Sequence, residues 1–133
     1  MTDDEKAHVK VPVFDGKKSK WNIFKAKMRS YVAQKGMTAI LTTKDEIPKD
    51  DETFDLTKPD EKKKSELRDM NRKAYGLLLS CILTDEKAGE SAFAIVEQYL
   101  DHDGGCTGGH FPNAWKSLEK RDMKTRTLSI SQI

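Results

Sequence analysis

This 133-residue chain predicts an all-α fold: a single compact bundle of four to five helices with an extended N-terminal lead-in. Three observations carry that expectation. Apolar residues recur at three- and four-residue intervals in several separate stretches, the spacing of one helix face. Glycine or proline stands where those stretches end or begin, at Gly36, Pro59 and Pro112. No run alternates apolar and polar residues well enough to read as a strand.

Taken in order, residues 1–10 are polar and read as a flexible N-terminus. Val9 to Phe14 alternate weakly and include Pro12, which makes them an extended lead-in rather than a central strand. Ser19 is an expected N-cap for a helix over about 20–35, with Trp21, Phe24, Met28, Tyr31 and Val32 on one stripe. Gly36 ends it, and Met37 to Leu41 form one short turn that tucks Ile40 and Leu41 into the core. Residues 42–57 read as a charged, loosely held surface loop around Ile47-Pro48, with Phe54 and Leu56 as later apolar anchors.

Pro59, Asp60 and Glu61 open a long helix to about Leu83, suited to its positive end. Its apolar residues are Leu67, Met70, Ala74, Leu77, Leu78 and Cys81. The last two turns are apolar nearly all round, which predicts a central core helix. Thr84 caps a following helix over about 90–100, with Ala92, Phe93, Ile95, Val96, Tyr99 and Leu100 on a broad apolar face. A glycine-rich hinge then leads to a last helix opened by Pro112, with Phe111, Ala114, Trp115 and Leu118 inside. The helical domain spans 11–123, and 124–133 is a tail or the start of a following domain.

Composition limits the function. Charged residues are 35% and apolar residues 36% of the chain, polar for a globular domain yet too apolar for a disordered one. The length allows one domain with one core. A net charge of +2 gives no strong overall pull on nucleic acid. Two cysteines, Cys81 and Cys106, argue against a disulfide framework, and the N-terminus lacks signal-peptide character. The apolar stretch Leu77 to Leu83 falls far short of the ~20 residues that a membrane span needs. These features predict a soluble protein in a reducing, intracellular setting.

Residues that invite chemistry read better without it. Gly104, Gly105, Gly108 and Gly109 lack the preceding strand and the Lys-Ser/Thr pair of a phosphate loop. His102, Cys106 and His110 stand four residues apart, and Asp101 or Asp103 could complete a metal set. A structural zinc site, however, takes four ligands in two tight pairs, and the intervening glycines prevent alignment. Cys81 falls on an apolar stripe as a small hydrophobe, and nothing places a base beside Cys106. Neither a catalytic group nor a cofactor is expected.

One charge pattern stands out. From Gly16 to Lys44 there is no acidic residue, while Lys17, Lys18, Lys20, Lys25, Lys27, Arg29, Lys35 and Lys44 fall in that interval. On a helical projection Lys18, Lys25 and Arg29 flank one edge of the Trp21 stripe, and Lys20 and Lys27 flank the other. The plainest reading is a solvated face balanced by the acidic loop 45–61. The others are a surface that holds RNA phosphates by counterion release, or one that lies on an anionic membrane. Ile23, opposite the stripe, is expected to pack under the lead-in, with a subunit contact as the alternative.

The two tryptophans stand in recognisable frames: Phe14-Asp15-Gly16 with Trp21, and Ala114-Trp115-Lys116-Ser117-Leu118. Between them come Met28, Gly36, Ile40, Leu41 and Pro48. This order resembles the capsid-forming Gag region of copia-type LTR retrotransposons over roughly residues 11–128. The resemblance implies a capsid N-terminal domain anchored by Phe14, Trp21, Phe24, Met28, Ile40, Leu41, Leu77, Leu78, Trp115 and Leu118. It implies a structural protein that self-associates into cytoplasmic virus-like particles enclosing RNA, and is a monomer or weak dimer as an isolated fragment. RNA would be bound weakly or indirectly, with Lys18, Lys20, Lys25, Lys27 and Arg29 as the possible RNA or partner surface, and no membrane partner is expected. The alternatives are a domesticated Gag-derived adaptor binding a protein or peptide, and a basic helical nucleic-acid-binding module. Where the family commonly carries a large aromatic about four residues after Leu118, this chain has Asp122.

Overall fold

Apolar spacing translates directly into helices. The computed structural model describes residues 10–100 and 108–131, with side chains through Asp122. Among the described residues the fold is all-α, with five helices and no strand.

A 3₁₀ turn over Lys18–Lys20 leads into α1 (Trp21–Gln34). Ser19, the expected N-cap, lies inside that turn, and no side chain caps either element. The turn is set instead by Asp15, whose Oδ1 accepts the Lys17 amide at 2.9 Å. Trp21, Phe24, Met28 and Val32 are buried along one face, with Tyr31 half-buried beside them. Gly36 ends α1 at φ +74°, a conformation that favours glycine. The Met37 amide reaches the Val32 carbonyl and the Gly36 amide that of Ala33, both at 3.0 Å. These are the two bonds of a Schellman motif, completed by the buried pair Val32 and Met37.

The short helix α2 (Ala39–Thr42) buries Ile40, while Leu41 stops half-buried at the core's edge. In the loop that follows, Ile47 and Pro48 are buried. The loop is tied down rather than loose. Nη1 of Arg68 donates to the carbonyls of Lys49 at 2.9 Å and Glu52 at 2.8 Å, and its guanidinium stacks 5.1 Å from the Phe54 ring. Arg72 pairs with Asp50 at 2.7 Å. Leu56, expected to anchor the loop, is 60% exposed.

Pro59 opens α3 (Pro59–Cys81), with Asp60 and Glu61 in its first turn as expected. Its inner line is Leu67, Asn71, Ala74, Tyr75, Leu78 and Cys81. Leu77 and Leu79 are half-buried, and Gly76 and Ser80 are exposed. The last turns are therefore covered on one side and not surrounded as their composition suggested, and α3 as a whole packs against α2, α4 and α5. Directly after α3 the chain pairs with the lead-in through one parallel bridge, Phe14 to Ile82. The Phe14 amide donates to Cys81 and the Leu83 amide to Phe14, both at 2.8 Å. Pro12 and Phe14 turn inward, while Val11 and Val13 turn out.

Helix α4 (Lys87–Glu97) begins and ends about three residues before the expected bounds, and Thr84 does not cap it. Close backbone packing fixes that start. A Cβ on Gly16, at φ +85°, would lie 2.0 Å from the Ala88 carbonyl oxygen, and one on Gly89 1.7 Å from that of Leu83. Ala92 and Val96 face inward, Phe93 and Tyr99 are half-buried, and Leu100 is exposed. Helix α5 (Phe111–Ser131) continues past residue 123, where the helical domain was expected to end. His110 starts it: its Nδ1 accepts the Asn113 amide at 3.2 Å. Phe111, Ala114, Trp115 and Leu118 are buried as expected, and so is Asp122. Each fully buried aromatic contributes about 1.5–3 kcal/mol over its exposed state.

Candidate interaction surface

The surface of α1 rests on an aromatic cluster that joins both ends of the chain. Trp21 and Trp115 lie 5.3 Å apart between ring centroids at 46°. Phe14 stacks on Phe24 at 4.9 Å and meets Trp21 edge-on at 5.6 Å, and Phe111 stacks on Trp115 at 5.7 Å. Such geometry adds about 0.5–1.5 kcal/mol per pair to simple burial. Of the ten expected anchors, eight are buried: Phe14, Trp21, Phe24, Met28, Ile40, Leu78, Trp115 and Leu118. Leu41 and Leu77 pack against this core from its edge.

With its inner face fixed, α1 turns its cations outward, and the structure divides them. Lys25 forms an ion pair with Glu119 of α5, and Lys17 reaches Glu86 at 3.5 Å. Lys18 acts electrostatically on Asp122, and Lys35 sits 5.4 Å from the centre of the Tyr31 ring. Lys20, Lys27 and Arg29 are exposed and pair with no acid among the described residues. Among the described residues, Lys17 and Lys25 pair with Glu86 and Glu119 and not with the 45–61 loop. Ile23, expected under the lead-in, stands 54% exposed between Lys20 and Lys27. The described part of the lead-in pairs instead with the end of α3.

The loop from Asp45 to Glu61 holds eight acids against two lysines. Asp50 is taken by Arg72 and Glu61 by Lys58, whereas Asp45, Glu46, Asp51, Glu52 and Asp60 are exposed. Asp55, fully exposed, is held below the usual carboxylate range by the Thr57 hydroxyl and then by the Thr57 amide. Between this loop and α3 runs a groove of about 960 Å³, bordered by Ile47, Leu67 and Met70 among charged side chains.

Two of the residues weighed for chemistry have structural places. His110 is a helix cap, and Cys81 is buried in the core, with burial pushing its thiol up to about 11. Asp101, His102, Asp103 and Cys106 lie outside the described residues. Among those described, no group of three His, Cys, Asp or Glu side chains is arranged to hold a metal, and no helix is long and apolar enough to cross a membrane.

Sequence reasoning missed the burial of three polar residues. Asn71 Nδ2 donates to the Gly109 carbonyl at 2.8 Å, and its Oδ1 accepts the Phe111 amide at 2.7 Å. Tyr75 donates its hydroxyl to the Val96 carbonyl at 2.5 Å. Asp122 is 4% exposed; burial raises its pKa, opposed by Arg121 and then Lys18. No protein atom among the described residues hydrogen-bonds Trp21 Nε1 or Asp122 Oδ2, both buried. The signal for Asn71 and Asp122 was their place on the inner stripes, four residues after Leu67 and Leu118. No family model, curated protein or solved structure matches the chain.

Proposed function

We propose that this chain is a structural domain of the Gag capsid type, which binds copies of itself through its outer helical faces to build a shell. The reading is carried by the contact of Trp21 with Trp115. The two sequence frames that resemble a copia-type Gag region stand 94 residues apart by their numbers, and they share one buried aromatic cluster. A fold in which buried Asn71 and Tyr75 brace helices, with separated charges on its exterior, suits a building unit. Contacts that are individually weak become stable when many close together by symmetry. The proposed setting is cytoplasmic particles around RNA, with the α1 cations assisting at most, and the role is structural and not catalytic.

Sedimentation velocity and negative-stain microscopy over a concentration series test the reading. Monomer or weak dimer is expected in dilute solution, and rings, sheets or closed particles at high concentration. The adaptor alternative draws on the groove beside Ile47, Leu67 and Met70. A chain that stays monomeric at every concentration while binding a linear peptide would replace the capsid reading with that one.

A further inference from the structure

We propose that copies of this chain meet head to tail, the outer face of α1 in one copy seated on the acidic 45–61 loop of the next. This inference rests on the self-association reading and names the faces that carry it. Lys20, Ile23, Lys27 and Ser30 are exposed and share one side of α1 and its leading turn at helical spacing. An exposed isoleucine between two unpaired lysines is a small apolar centre within a cationic rim, the usual anatomy of a contact patch.

What fits such a patch is an anionic surface with an apolar centre of its own, and the chain carries one. Asp45, Glu46, Asp51, Glu52 and Asp60 are exposed in a loop that also holds Leu56, 60% exposed. Arg68 grips the carbonyls of Lys49 and Glu52, so the loop is offered in a set shape and little ordering is needed on contact. No ion pair within the described chain joins Lys20, Lys27 or Arg29 to this loop, so both surfaces remain open to another copy. Nucleic acid is the weaker fit. Phosphates need no apolar centre, and Trp21 and Phe24 are buried away from stacking.

The two patches differ, so the contact is heterologous: every copy offers one of each, and repetition closes a ring or continues as a lattice. Surface charge pairs of this kind are weakened by salt.

Charge reversal tests the pairing. Three variants are compared with the parent chain by sedimentation velocity at low salt: Lys20→Glu with Lys27→Glu, Glu46→Lys with Asp51→Lys, and all four changes together. All four positions are exposed, so circular dichroism and thermal melting are expected to match the parent. Each reversed pair alone is expected to weaken association at least tenfold, and the fourfold variant to recover it because the surfaces are complementary again. Parent-like association in the single-face variants, or no recovery in the fourfold variant, overturns the pairing and leaves self-association standing. A parent chain that never associates removes the self-association reading itself. Loss of RNA binding by the α1 variant, with association untouched, would assign that face to nucleic acid.

Discussion

Asn71 on α3 holds the backbone of Phe111 on α5 through a 2.7 Å hydrogen bond to its amide, and reaches the carbonyl of Gly109 at 2.8 Å. One buried side-chain amide thus stands in for a neighbouring strand, satisfying a donor and an acceptor two residues apart where α5 begins. Gly109 lies against the Tyr75 ring of the next turn, so α3 fixes both the position and the direction of α5.

Replacing Asn71 by leucine strands both backbone groups away from water. An unsatisfied buried group costs about 1–3 kcal/mol, so stranding two is expected to cost Asn71→Leu about 2–6 kcal/mol, read by urea unfolding. Asn71→Asp keeps the size but loses the donor to Gly109 whenever the carboxylate is ionised. An Asn71→Leu chain as stable as the parent would mean that these two bonds contribute nothing net.

Gly36 and Gly16 both adopt positive φ, yet their replacement by alanine is expected to differ. Nothing lies within 4 Å of a Cβ placed on Gly36, so only the left-handed backbone is penalised, by about 1 kcal/mol. At Gly16 the added carbon meets the Ala88 carbonyl at 2.0 Å, and backbone on both sides must separate. Gly16→Ala should therefore lower the melting temperature severalfold more than Gly36→Ala. Equal shifts would show that the α4 start moves freely.

Helix existence, the Gly36 stop, the Pro59 start and most of the core were legible because spacing and punctuation are local properties. The bounds of α4 were not, since they follow from the approach of Gly16 to Ala88, residues 72 apart in number. Leu77 shows the same limit: composition marks it as core, but only the placement of α2, α4 and α5 decides which side of α3 is covered. The basic run was legible as a run. Which of its cations pair with Glu86 and Glu119, and that Ile23 stands uncovered, depended on tertiary packing.

Cys81 offers a probe of opening. Its thiol is fully buried and pushed up to about 11, so at pH 8 almost no thiolate exists and no reagent can reach it. In a Cys106→Ser background, labelling with an aromatic disulfide should be orders of magnitude slower than in the unfolded chain, and should accelerate with denaturant. Prompt labelling of the native chain would show that the end of α3 opens locally without global unfolding.

Asp122 is buried near the end of the described side chains of α5, and its burial makes the chain's stability depend on pH in a stated direction. Loss of hydration raises its folded-state pKa above the ordinary 3.8, and Arg121, 3.4 Å away, offsets this only in part. The folded state then holds the proton more tightly than the unfolded one. The stabilisation is complete below the ordinary carboxyl pKa and is lost as pH rises through the raised value. Asp55, held low by Thr57, acts with the opposite sign below the ordinary value, so the difference between parent and variant isolates Asp122. Asp122→Leu removes the titrating carboxyl and puts apolar atoms in its place, leaving Arg121 its bond to the Gly16 carbonyl. Thermal melts from pH 3.5 to 8 should show the variant gaining on the parent as pH rises. A parallel pair of curves would mean that Asp122 has the same proton affinity folded and unfolded, and that its carboxylate is hydrated in the native domain.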